Sequence, residues 1–240
     1  VSTLDHLRDV EIVSSTVAAA CGDNGTMLLT TDAGISWTET ASGVTTNLND
    51  IKFVSGGIGY ATGDNAVLIK TTNSGSSWAE IDMSFTNGKI NAVEAIDENN
   101  LILVGEMGKV LLSNDGGSSW YAPMGLSYET DLNDVVFFDA FNGVIAGNNG
   151  LILNSIDGGY SWNESSVITS GDSYDYFSVA FADESNGIST GRSGIEIFTT
   201  DGGLTWTEAP PAFNQSMYSP NNGRTKNIEL KQNYPNPFNP

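Results

Sequence analysis

Five tryptophans, Trp37, Trp78, Trp120, Trp162 and Trp206, recur at intervals of 41, 42, 42 and 44 residues. Each closes the same short phrase: Asp32-Ala33-Gly34-Ile35-Ser36-Trp37, Asn73-Ser74-Gly75-Ser76-Ser77-Trp78, Asp115-Gly116-Gly117-Ser118-Ser119-Trp120, Asp157-Gly158-Gly159-Tyr160-Ser161-Trp162 and Asp201-Gly202-Gly203-Leu204-Thr205-Trp206. A fixed period just above forty residues implies an array of like structural units that bury their apolar faces on one another. The phrase is therefore architectural before it is chemical.

Two further anchors keep register with the tryptophans. Fifteen residues upstream of Trp37 stands Gly22-Asp23-Asn24-Gly25, echoed by Gly63-Asp64, Gly105-Glu106, Gly147-Asn148 and Gly191-Arg192. Earlier still come apolar alternations that start at Asp9-Val10, Asp50-Ile51, Ala92-Val93, Asp134-Val135 and Ser178-Val179. Period-two alternation with Gly, Asn and Asp at every junction predicts short β-strands, four to a unit, and no helix. Four strands in about 42 residues describe a propeller blade, so the expected fold is an all-β propeller over residues 1–212. Five repeats are visible, which leaves a five-bladed ring and part of a larger propeller both open.

Within the phrase, Asp32, Asn73, Asp115, Asp157 and Asp201 are expected to accept bonds from backbone N–H groups further round the turn. Gly34, Gly75, Gly117, Gly159 and Gly203 supply the positive φ such a turn needs, and the indole is expected to pack as an apolar plug. These residues resemble the Asp-box, or bacterial neuraminidase repeat. With Leu48-Asn49-Asp50-Ile51, Gly63-Asp64 and the Thr71 to Trp78 stretch, the fuller pattern resembles the photosystem II stability/assembly factor type of propeller. That resemblance implies a usually seven-bladed ring; the box acids themselves read as turn locks, not catalysts, and the propeller as a non-enzymatic secreted module.

The composition changes beyond Thr207, where six of the seven prolines lie. Residues 213–228 read as a polar linker. The terminal Gln232-Asn233-Tyr234-Pro235-Asn236-Pro237-Phe238-Asn239-Pro240 is similar to the opening of a type IX secretion sorting domain, so 229–240 is expected to be its truncated start. The resemblance implies a partner in the secretion machinery and a destination outside, or on the outer membrane of, a Gram-negative bacterium. The start at Val1 reads as processed or cut.

Twenty-nine Asp and Glu against nine Lys and Arg leave a formal charge of -20, which repels nucleic acid and anionic membrane surfaces. No apolar run is long enough to span a membrane as a helix. The single cysteine, Cys21, excludes an internal disulfide and a cysteine-based zinc site. Arg8, Arg192 and Arg224 are too few and too scattered for a sialidase. His6 is the lone histidine, so a nucleophilic triad is not expected.

One constellation remains. The start of the first strand and the turn after the second should meet at one end of the blades, because adjacent strands run antiparallel. This places Asp9, Asp50 and Asp134 with Asp23, Asp64 and Glu106 on an acidic rim, open to a basic partner or a divalent cation. No cofactor is expected. The interblade loops 39–48, 80–90, 122–132 and 164–177, the last with Tyr174, Tyr176 and Phe177, are expected to present a protein- or glycan-binding face. A polysaccharide-active, xyloglucanase-like hydrolase fragment and an assembly factor for a surface complex are the alternatives.

Overall fold

β-branched and apolar residues in alternation make strands where the pattern predicts them. The computed structural model describes residues 5–123, 126–169 and 173–208. The linker and the sorting-domain segment therefore lie outside the described residues, and the compact unit considered below ends at Glu208.

Each repeat folds as one antiparallel sheet. The first comprises β1 (Leu7–Ile12), β2 (Ala18–Gly22), β3 (Met27–Thr30) and β4 (Thr38–Glu39), hydrogen-bonded in that order. The second is β5 (Leu48–Phe53), β6 (Gly59–Gly63), β7 (Leu68–Thr71) and β8 (Ala79–Glu80). The third has β9 (Ile90–Ala95), β10 (Leu101–Gly105) and β11 (Lys109–Ser113), with only a bridge from Leu112 to Tyr121 where a fourth strand would stand. Pro123 explains the truncation: it lacks an N–H and restricts the residue before it. The fourth sheet is β12 (Leu132–Phe137), β13 (Gly143–Gly147), β14 (Ile152–Ser155) and β15 (Asn163–Glu164).

The fifth departs from the template. To β17 (Tyr176–Phe181), β18 (Gly187–Gly191), β19 (Glu196–Thr199) and β20 (Thr205–Glu208) it adds β16 (Ser166–Ile168), which pairs parallel to β20. Residues 164–177 are thus not wholly loop: β16 covers the outer edge of β20, with Val167 beside Trp206.

The first strand of each sheet packs on the first strand of the next, β1 on β5, β5 on β9, β9 on β12 and β12 on β17. Apolar side chains fill each of the four seams. In the first, Ala19, Cys21, Met27 and Leu29 meet Leu48, Ile51, Phe53 and Ile69. In the last, Val144, Ala146 and Ile152 meet Tyr176, Val179, Ile197 and Trp206. Each fully buried Leu, Ile or Val there contributes roughly 1.5–3 kcal/mol. Among the described residues no comparable packing returns from β17 to β1. Hence Val10 and Ile12 are 57% and 75% exposed, whereas their counterparts Ile51 and Phe53 in the second sheet are 2% and 9% exposed.

Candidate functional site

A bulge in the first strand aims the Asn-Asp pair at the next sheet. Leu48 pairs with Gly63 and Asp50 with Thr62, so Asn49 is an extra residue, and the same slip recurs at Asn133. A bulge re-aims side chains that a regular strand would point to opposite faces. Asn49 donates to the carbonyl of Ile90 at 2.9 Å, Asn91 to that of Leu132 at 2.7 Å and Asn133 to that of Tyr176 at 2.7 Å. One residue on, the carboxylates accept. Asp9 takes the N–H of Ile51 at 3.0 Å, Asp50 that of Val93 at 2.6 Å and Asp134 that of Val179 at 2.8 Å.

These are clasps between sheets. Where the clasp aspartate is replaced by Ala92, the waiting amide of Val135 bonds Oδ1 of Asp134 instead, at 2.8 Å. The fifth sheet carries Phe177 and Ser178 at the two clasp positions, and Phe177 is half exposed. Asn49 and Asn133 were legible as a repeated Asn before Asp, but only the bulge reveals what they hold.

The predicted rim acids are engaged with the protein itself. Asp23 pairs with Arg8 at 2.6 Å, and Arg8 also donates to Asn49 at 3.1 Å. Asp64 accepts from Asn47 at 2.9 Å and lies 3.8 Å from the Lys89 ammonium. Glu106 accepts the N–H of Lys89 at 3.0 Å. Asn148 accepts from Asn133 at 2.7 Å, and Arg192 pairs with Asp175 at 2.8 Å. Among the described residues no group of three or more His, Cys, Asp or Glu side chains has the arrangement of a metal site.

Electrostatics along the axis follow burial. Burial pushes the Asp50 carboxyl well above the usual range, and the adjacent Asp9, to which protonated Asp50 donates, adds to the effect. Burial likewise raises Asp134, against the N–H of Val179 that favours its charged form. A second layer holds Glu11, Lys52 and Glu94, with Lys52 to Glu94 at 3.3 Å. Burial raises both glutamates despite the cation between them. For Lys52, burial opposes the charge but Glu94 and Glu11 outweigh it, and the ammonium is raised. Cys21 lies buried on β2 opposite Asp9; burial first, then the charges of Asp9 and Asp50, push its thiol well above the usual value.

Each Asp-box forms a closed turn. Asp115 accepts the N–H and hydroxyl of Ser119 at 2.8 and 2.6 Å and the hydroxyl of Ser113 at 2.9 Å. The Ser119 hydroxyl and amide hold its carboxyl down at about 2. Asp32, Asp157 and Asp201 repeat the set, and Asn73 substitutes an amide. The indoles of Trp120, Trp162 and Trp206 donate to Gly117, Gly159 and Gly203. Positive φ falls on the second box residue as well as the third, including Ala33 and Ser74. Trp37, Trp78 and Trp120 are only partly buried.

Two faces result. The boxes lie against the hairpin tips that join first and second strands, as Gly158 N–H to Phe141 at 2.8 Å shows. On the other face the Gly-Asp turns lie against the interblade loops, Gly108 N–H bonding Thr130 at 2.7 Å. Gly108 has φ +69° and a Cβ there would fall 2.0 Å from the Tyr128 carbonyl, so only glycine serves. Of the loop aromatics, Tyr176 is buried in the last seam.

The loop face carries a groove of about 340 Å³ at the third sheet, walled by Met107, Val110, Leu111, Pro123 and Leu126, with Glu106 and Lys109 among its polar residues. Lys109 donates to the carbonyl of Asn87; burial lowers its ammonium, with Glu106 opposing. Met107 is 74% exposed. It holds a left-handed φ of 56°, a conformation that Asn24, Asn65 and Asn149 take in three sister turns and that a methionine adopts at a cost.

Antiparallel sheets packed first strand to first strand, each closed by an Asp-box, define a β-propeller of the Asp-box class. The chain belongs to the family described as Photosynthesis system II assembly factor YCF48, which matches residues 1–125 and 121–211. No curated protein sequence matches it. Among solved structures it is similar to YCF48 from Cyanidioschyzon merolae, at 18% identity and a TM-score of 0.56 over 88% of this chain and 86% of that one. It is also similar to the GH74 enzyme of Niastella koreensis, at 16% identity and a TM-score of 0.67 over 84% of this chain and 38% of the enzyme. The WD40 propeller of Doa1 matches at 14% identity and a TM-score of 0.62, over 82% of this chain and 66% of that one. At these identities the likenesses are of fold, and this chain spans well under half of the GH74 enzyme.

Proposed function

We propose that this propeller is a non-catalytic module that holds a segment of another protein on its loop face, in the manner of an assembly factor. The observation that carries the reading is Met107. It is an exposed, flexible apolar side chain in a turn where three of the other four repeats place asparagine and the fifth places Ser193, set over a groove with a partly desolvated lysine. Strain at an exposed apolar residue marks a site kept for contact more than for folding. Membership of the YCF48 family supports a protein partner. The groove suits a peptide with an apolar anchor and a carboxylate near Lys109.

Phage-displayed peptides selected on the protein test this. Selected sequences are expected to lose affinity at least about tenfold on Met107→Asn, which restores the template residue and relieves the turn. Failure to select any sequence, or equal binding to the variant, overturns the reading. We further propose export by the type IX route, on the residue string from Gln232 to Pro240. Secretion that persists in cells lacking that machinery would overturn it. The acidic rim is proposed no further as a cation site, since its carboxylates are hydrogen-bonded or paired within the chain. The hydrolase alternative rests on likeness of fold alone.

A further inference from the structure

The opposite, Asp-box face departs from its own template at one seam. Tyr160 occupies the box position held by Ile35, Ser76, Ser118 and Leu204 in the other repeats. Tyr121 follows its tryptophan where Thr38, Ala79, Asn163 and Thr207 stand. Phe141 sits at a hairpin tip where Asn99 and Ser185 stand in the sheets before and after it. All three cluster between the third and fourth sheets. Tyr121 and Tyr160 stack at 5.9 Å with an interplanar angle of 23°. Asn114 binds both hydroxyls, donating to Tyr160 at 2.8 Å and accepting from Tyr121 at 2.9 Å. The Tyr160 ring is thus fixed while 52% of it stays exposed, and Phe141 is 63% exposed. Between them lies a cavity of about 250 Å³ whose lining includes Ile96, Asp97, Asn100, Asn114, Phe141 and Tyr160.

We propose that this groove binds a neutral, extended β-linked glucan. A pyranose presents an apolar C–H face, which suits an immobilised exposed ring, and equatorial hydroxyls, which suit fixed carboxylate and amide oxygens. Asp97 and Asp157 are held in place by their own turns, Asp97 by Asn99 and Asn100 N–H at 2.8 and 2.9 Å and Asp157 by Ser161. No lysine or arginine lines the cavity, and the chain carries -20 overall, so anionic polysaccharides are repelled. A few placed polar groups among aromatic walls is the usual make-up of a small-ligand site. The site is on the face away from Met107, so it stands or falls independently of the peptide-binding reading.

Titration calorimetry and saturation-transfer NMR with cellohexaose and a xyloglucan oligosaccharide test the proposal on the full chain. Binding is expected, with transfer to the sugar C–H protons. Phe141→Ala is expected to weaken it about tenfold, a fold-change typical of losing one aromatic contact. Tyr160→Ala is expected to weaken it similarly, Tyr160→Phe, which keeps the ring but frees it from Asn114, to weaken it less, and Phe85→Ala, a comparably exposed phenylalanine on an interblade loop, to leave it unchanged. Absence of binding to both sugars overturns the proposal, as does binding that survives Phe141→Ala, or an affinity for unrelated peptides that Phe141→Ala abolishes in place of sugar binding.

Discussion

The carboxylate of Asp50 accepts the amide N–H of Val93 at 2.6 Å, across the seam between the second and third sheets. The two residues are 43 apart in sequence, one repeat plus one step. The bond therefore does for consecutive sheets what a ladder bond does for consecutive strands. Removing it strands a buried donor. Asp50→Ala is expected to cost about 1–3 kcal/mol in urea unfolding, the usual range for an orphaned buried N–H. Asp50→Asn keeps an acceptor for Val93 and an amide donor toward Asp9, so it should lose less. Equal losses for the two substitutions would show that Asp50 acts by packing alone.

Stability should also depend on pH through the same residue. Burial and Asp9 raise the folded-state pKa of Asp50 well above its unfolded value, so the folded chain binds the proton more tightly. That contribution is fully present below the unfolded carboxylate pKa of about 3.9 and is lost as pH rises through the raised folded value. Asp115, held at about 2, works in the opposite sense, its contribution being lost only as pH falls through that value. Stability is thus expected to rise as pH drops through the raised folded value of Asp50 toward its unfolded carboxylate value, and Asp50→Asn is expected to flatten that slope. A wild-type slope unchanged by the substitution would assign the dependence to other groups, Glu94 and Asp134 first.

The box tryptophans should not be equivalent. Trp206 is fully buried against the fourth sheet, with β16 along its strand. Trp206→Ala is expected to cost about 3–5 kcal/mol. Trp37 is only partly buried, and among the described residues no sheet packs on β1 from the other side. Trp37→Ala is expected to cost clearly less in the same denaturation experiment. Equal costs would mean that the face of β1 is covered in solution.

How far these features were legible varies with their range. The box, the Gly-Asp turn and the strand alternation lie within one repeat, and each was readable because a turn or a strand is decided by neighbours in sequence. The box hydrogen bonds span only four residues, from Asp115 to Ser119 and from Asp157 to Ser161. The rim acids were legible as repeated positions but not as groups already engaged within the chain. Their partners, Arg8, Asn49 and Lys89, reach them by folding back across a blade or from the adjoining one. The template exceptions at Met107, Phe141 and Tyr160 were printed in the chain, yet their meaning depended on exposure.

By itself the sequence determined the repeat, its four-strand unit and therefore the β-propeller, since local turn chemistry and a fixed apolar period leave little else for a chain of this kind to form. Tertiary structure decided which acids are clasps, where the ion layer of Glu11, Lys52 and Glu94 sits, and which seam opens into an aromatic groove. The physical reason is that these properties belong to contacts between units some 41 to 46 residues apart, from Asn49 reaching Ile90 to Asn114 reaching Tyr160. Desolvation, which sets their charge states, exists only once the sheets have packed.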